Sequence, residues 1–151
     1  MRYFLDTEYN GFGGALLSLA LVPEDKGEEF YVTIACDDLL DPWVERHVMP
    51  YLDTVPESLR GPRLTRRHAA DALAHWLVGD DDPWIVADWP EDLSQLAMLL
   101  VTGPGKMLTV PGMTLRFEPL AGFSTAANSK VPHNALHDAR ALRDHVMNHL
   151  D

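Results

Sequence analysis

The sequence predicts an α/β domain: a mixed β-sheet, opening as an antiparallel meander and continuing as α/β units, covered by helices. Three observations carry this. The first 35 residues hold three strand-like runs cut by glycine-rich or charged turns. From residue 41 onward, tracts with apolar residues at helical spacing alternate with short apolar runs. The 151 residues, 46% hydrophobic and 23% charged, suit one globular domain over 1–151 with a single core.

Each element follows from local chemistry. RYFLDTEY opens the chain as a strand, and Asn10 to Gly14 form a turn before the apolar run ALLSLALV, Ala15 to Val22. PEDKGEE supplies the next turn, and EFYVTIA (Glu29 to Ala35), rich in β-branched and aromatic residues, the third strand. Pro42 in DPWVERHVMPYL suits the first turn of a helix. Ala69, Leu73, Ala74, Trp76 and Leu77 give TRRHAADALAHWLV, Thr65 to Val78, one apolar face. WIVA, Trp84 to Ala87, is short and apolar enough for a buried strand, and Glu91 to Val101 reads as a helix with Leu93, Leu96, Ala97 and Leu100 inward. MTLRFEPL, Met113 to Leu120, is a further strand. After the small-residue loop FSTAANSKVPHN, the last helix runs from about Ala135 to His149, with Ala135, Ala139, Leu142, Val146 and Leu150 in one stripe.

Composition narrows the functional classes. A net charge of −11, from 12 basic and 23 acidic residues, argues against a broad phosphate footprint on long duplex nucleic acid, though not against a short or single strand. The longest apolar run stops at Pro23, far short of the ~20 residues of a membrane span. Acids stand where a signal peptide would have its apolar centre, so a cytoplasmic location is expected. The one cysteine, Cys36, excludes an internal disulfide and reads as core filler.

The carboxylates are the informative residues. In a strand, residues two apart share a face, so Asp6 and Glu8 hold like charges side by side; solvent, a shared proton or a divalent cation must offset the repulsion. Asp138 borders the apolar stripe of the last helix, and His133 stands five residues before it. As ordinary features these are an acid favourable to the helix dipole and a loop histidine. In WIVADWPEDLSQL, Asp88 and Glu91 have the spacing of a capping box, whereas Asp92, four residues before Leu96, should point toward the sheet and has no such structural explanation.

D-T-E on a first strand, an acid opening a middle helix and H-x-x-x-x-D near the end resemble the DEDDh 3′-5′ exonucleases of the RNase H-like superfamily. The opening RYFLDTE and the short chain are most similar to their small stand-alone bacterial exoribonuclease-like branch. Asp6 and Glu8 match the first motif, Asp92 the second, His133 and Asp138 the third. Asp88 stands where asparagine is usual and Glu91 where an aromatic often precedes the acid, so the second motif's register is the least constrained. The resemblance implies an RNase H-like sheet and metal-dependent 3′-5′ cleavage of single-stranded RNA or short oligonucleotides. It implies two divalent cations, Mg²⁺ or Mn²⁺, on Asp6, Glu8, Asp92 and Asp138, with His133 as general base. Relatives of this type are often homodimers, and exposed apolar residues of the middle helices are the expected interface. The alternatives are a 3′-5′ DNA exonuclease and a nucleic-acid or partner-binding module without turnover.

Candidate substrate contacts are Thr7, Tyr9, Phe12, Asp88 and Lys130, with Arg140 also able to reach a phosphate. Phe12 reads either as a base-stacking wedge or as a buried loop anchor, the second being the ordinary expectation. Arg60, Arg63, Arg66, Arg67 and His68 form a basic cluster that would either steer a nucleic-acid backbone or lie on a solvated helix start. His145 and His149, four apart, lack the rest of a zinc motif, and GFGG reads as a turn.

Overall fold

The computed structural model describes residues 1–149. Its strands are β1 (Arg2–Tyr9), β2 (Leu16–Pro23), β3 (Phe30–Thr33), β4 (Trp84–Ala87), β5 (Val101–Gly103), β6 (Lys106–Met107) and β7 (Thr114–Phe117). Its helices are α1 (Pro42–His47), α2 (Arg66–Leu77), α3 (Pro90–Leu99), α4 (Thr125–Asn128) and α5 (Ala135–His149). Five strands form one sheet in the order β3-β2-β1-β4-β7, and β5 with β6 makes a separate hairpin. The meander β1 to β3 is antiparallel, while β4 runs parallel to both β1 and β7. This is the expected mixed α/β sheet flanked by helices.

Alternation along β1 sorts its side chains between two apolar layers. Tyr3 and Leu5 join Leu19, Leu21 and Ile85 beneath α2 and α3, through Ala69, Leu73, Leu77 and Leu96. Phe4 faces the other way, onto Leu142 and Val146 of α5, next to the cluster of Ala20, Val22, Ala135 and Ala139. Asp6 and Glu8 follow Phe4 in that alternation, so they lie on the α5 face, while Thr7 lies on the α3 face. β1 also outruns its neighbour: pairing with β4 ends at Phe4–Val86, which leaves the β4-side backbone edge of residues 6–9 open.

The sequence expectations hold for the meander, α2, β4 and α5, with three differences. Helix α3 ends at Leu99, and Val101 begins a hairpin turned at Pro104 and Gly105. Inside α3, Leu99 is buried while Leu93 and Ala97 are only half-buried. A four-residue helix, α4, interrupts the small-residue loop, capped by the Ser124 hydroxyl. Leu150, assigned to the α5 stripe, lies outside the described residues.

The start of α5 is fixed by Asn134, fully buried. Its Oδ1 accepts from the backbone N–H of Leu136 and His137 at 3.1 and 3.3 Å, and its Nδ2 donates to the Tyr51 carbonyl and the Tyr31 hydroxyl at 2.8 and 3.4 Å. Asn134→Ala is therefore expected to cost about 2 kcal/mol in a urea-unfolding titration, because it removes a helix cap and strands buried polar partners together.

Candidate metal centre

Three chain segments bring their acids to the open end of β1. Asp6 is buried under α5, and Glu8, half-buried, follows it toward the sheet margin. Asp138 enters from the first turn of α5 and is buried. Asp92, also buried, sits in the first turn of α3 on the opposite side of the sheet. Its Oδ1 accepts from the Thr7 hydroxyl at 2.6 Å and from the Thr7 backbone N–H at 3.3 Å, capping the edge that β4 leaves unpaired. Thr7 thus ties the second acid to the strand carrying the first.

His133 lies just outside α5 with φ at 64°, a left-handed conformation that histidine adopts more readily than most residues. One ligand atom from each of Glu8, His133 and Asp138 falls within 4.8 Å of the others, a group able to hold a metal ion. The Trp43 ring stands edge-on to the His133 ring, centroids 4.8 Å apart, and Trp43 also packs on His47. Burial, then the neighbouring His47, lowers the pKa of His133 and favours its neutral, proton-accepting form.

The electrostatics are those of an unneutralised acid cluster. Burial, followed by the charges of Asp92, Glu8, Asp138 and Asp88, holds the Asp6 carboxyl well above the usual carboxylate range. Glu8 is pushed up to about 9 by burial and then by Asp138 and Asp92. Burial raises Asp92 to about 7 against the pull of its Thr7 hydrogen bonds, and raises Asp138 to about 6 against hydrogen bonds from the Ser129 hydroxyl and the His133 backbone N–H. Two buried oxygens of this cluster, Asp6 Oδ2 and Asp138 Oδ1, have no hydrogen-bond partner among the described residues. Crowded, largely buried and partly unsatisfied, these donors form a group that could hold a metal ion.

Beside Glu8 a cleft of about 490 Å³ opens between the β1–β2 turn and α1, with Tyr9, Phe12 and Trp43 on its walls. Phe12 is 87% exposed, so it is not the buried anchor that was the ordinary expectation. The turn carrying it is nevertheless fastened. The Gly13 N–H donates to Glu91 at 2.9 Å, Gln95 donates to the Gly14 carbonyl at 3.1 Å, and Asn10 bonds both Leu39 and Asp41. A side chain at Gly14 would overlap the Asn10 carbonyl oxygen, which explains the glycine there. Tyr9 is held by the Trp89 indole N–H, 3.1 Å from its hydroxyl.

Other expectations fare differently. Asp88 and Glu91 form no capping box: the residue at the helix cap is Trp89, without a side-chain bond, and Glu91 reaches across to the β1–β2 turn instead. Asp88 is half-buried, and its charge bears on Asp6, Asp92 and Asp138, making it a fifth acid of the cluster. The basic cluster is mostly occupied within the fold. Arg63 pairs with Asp53 at 2.6 Å, Arg60 donates to the Asp53 and Val55 carbonyls, and Arg67 pairs with Asp71. Lys130 is exposed and belongs to a different groove. Cys36 packs against the Leu17, Val44, Val48 and Leu52 cluster, as core filler would. His145 stacks on both Phe123 and His149, and neither histidine joins a metal-binding group among the described residues.

Sequence reasoning missed Trp43, whose contact with His133 is long-range, Ser129, in the loop before α5, and Asn134, which had a legible signal: a capping residue type directly before the helix. No helix among the described residues is long and apolar enough to cross a membrane. Comparison with protein-family models and with curated proteins finds no match to this chain.

Proposed function

We propose that the protein is a metal-dependent 3′-5′ exoribonuclease of RNase H-like fold, acting on single-stranded RNA or short oligonucleotides. The observation that carries this reading is the group of Glu8, His133 and Asp138, close enough to share one ion, with the charges of Glu8, Asp92 and Asp138 bearing on the buried Asp6 beside it and an aromatic-walled cleft alongside. The antiparallel meander continued by parallel α/β units supports the fold part of the reading.

Asp6, Glu8, Asp92 and Asp138 would hold two ions, Mg²⁺ or Mn²⁺, which when bound acidify water and offset the charge that builds up on the phosphoryl group. The protein's own part is positional. Thr7 aims Asp92, Ser129 and the His133 N–H aim Asp138, and Trp43 fixes the His133 ring. His133, neutral at physiological pH, takes the proton of the attacking water at an imidazole nitrogen. The water oxygen bonds to phosphorus, the bond to the upstream 3′-oxygen breaks, and that oxygen leaves with a proton. The products are a nucleoside 5′-monophosphate and a strand one residue shorter. Phe12, Trp43 and Tyr9 offer faces for the terminal bases, a sequence-tolerant mode that suits an exonuclease. A homodimer through exposed apolar residues of the middle helices, among them Met98, completes the proposal.

Polarity and chemistry are tested with one RNA labelled at either end, its DNA counterpart alongside, in Mn²⁺. A 5′ label should give a ladder and a 3′ label only the mononucleotide, with RNA preferred. His133→Ala should lower the rate by about 10²–10⁴-fold at saturating Mn²⁺. Uniform internal cleavage, or a rate unaffected by His133→Ala, would overturn the proposal.

A further inference from the structure

A second groove, of about 330 Å³, lies along the flank of α5 away from the acid cluster. It gathers four of the chain's 12 basic residues, Lys26, Lys130, Arg140 and Arg143, with two of its three lysines among them. Glu29 is engaged by Arg140 in a two-pronged pair at 2.5 and 2.7 Å, and Asp144 by Arg143 at 2.9 Å. Four cations against two carboxylates leave an excess of two positive charges in a protein of net charge −11. Lys26 and Lys130 carry that excess. Both are exposed, and neither side chain has an ion-pair or hydrogen-bond partner among the described residues.

The groove is tied to the candidate centre by the chain itself. Lys130 precedes His133 by three residues, and His137, on the groove's wall, is the neighbour of Asp138 in α5. The Arg140–Glu29 pair also fastens α5 to the β2–β3 turn region, so the two walls that carry Lys130 and Lys26 are braced against each other. The groove thus runs along the same helix that carries Asp138 and has a net positive lining.

We infer that this groove binds the phosphodiester backbone of the single strand on the 5′ side of the cleavage point, with Lys26 and Lys130 as the phosphate contacts. The inference rests on the proposed exonuclease reading for its orientation, but not for the binding itself. The centre attracts phosphate only with metal present, since its own side chains are acidic, whereas the groove's cations belong to the protein. Single-stranded oligonucleotide binding therefore persists in EDTA and requires a strand long enough to cover the groove.

The test is fluorescence anisotropy of a 5′-labelled RNA of about twelve residues, and of a labelled dinucleotide, titrated in EDTA at several salt concentrations. The longer RNA should bind and the dinucleotide should not. Lys26→Glu with Lys130→Glu should weaken binding roughly tenfold at low salt and flatten the slope of log affinity against log salt by about 1.4, at about 0.7 per lost phosphate contact. Lys26→Arg with Lys130→Arg should retain both affinity and slope, and thermal unfolding should confirm that all variants fold. Unchanged affinity and slope in the charge-reversed protein, or no binding by the wild type in EDTA, would overturn the inference. A lack of metal-dependent cleavage combined with charge-sensitive binding in EDTA would sink the exonuclease reading and leave the groove standing.

Discussion

Asp6→Asn is expected to make the metal-free protein more stable and to leave it unable to gain stability from Mn²⁺. Asp6 is buried, one of its oxygens lacks a hydrogen-bond partner, and four other carboxylates bear on it. Removing the central charge relieves the repulsion among these carboxylates, while an amide keeps the shape of the protonated acid. A gain of about 1–2 kcal/mol, or roughly 3–6 °C in melting temperature, is expected, growing as pH rises and the wild-type cluster loses its protons. The same change should cut cleavage by about three orders of magnitude, equivalent to about 4 kcal/mol of transition-state stabilisation. Stability and activity moving in opposite directions distinguish a functional acid from a structural one. An Asp6→Asn protein that melted lower than wild type without metal would mean that the aspartate holds the fold together.

The second large effect concerns pH. In the folded protein Glu8, Asp92 and Asp138 titrate near 9, 7 and 6, each raised above an ordinary carboxylate. The folded state therefore keeps protons that the unfolded chain has released above about pH 4. For a raised carboxyl the contribution to stability is fully present below the unfolded value and is lost as pH climbs through the folded one. Metal-free protein should thus lose stability from about pH 5 to pH 9. Mn²⁺ competes with those protons, so its stabilising effect should be small near pH 5 and grow steadily toward pH 9. Thermal unfolding with Mn²⁺ and with EDTA across this range reads both trends. A stabilising effect of Mn²⁺ that did not change with pH would mean that it binds outside the acid cluster.

Much of this arrangement was legible in the chain, for reasons that can be named. Alternation along RYFLDTEY put Asp6 and Glu8 on one face, and helical spacing turned Asp92 and Asp138 toward the sheet, because both signals are local and periodic. What was not legible depends on partners far along the chain. The Asp88-x-x-Glu91 spacing suggested a cap, yet Glu91 bonds Gly13, 78 residues away. The basic cluster suggested a free surface, yet Asp53 folds back onto Arg63. Phe12 read as either a base-stacking wedge or, more ordinarily, a buried loop anchor, and a turn fastened from two sides holds it in solvent. The hairpin after α3 was hidden by an apolar run that continues the helical pattern up to Val101, although Pro104 and Gly105 carried the turn signal.

The central claim is that these carboxylates form one metal-dependent site for stepwise phosphodiester hydrolysis. Its most direct test is degradation of a 5′-labelled RNA followed over time in Mn²⁺, Mg²⁺ and EDTA, with wild type, Asp92→Ala and Asp88→Ala compared. The expected result is a ladder of single-nucleotide steps that requires metal, is abolished in Asp92→Ala and is only weakened in Asp88→Ala, since Asp92 alone is locked to the central strand through Thr7. A ladder that persisted in EDTA, or undiminished cleavage by Asp92→Ala, would contradict the account.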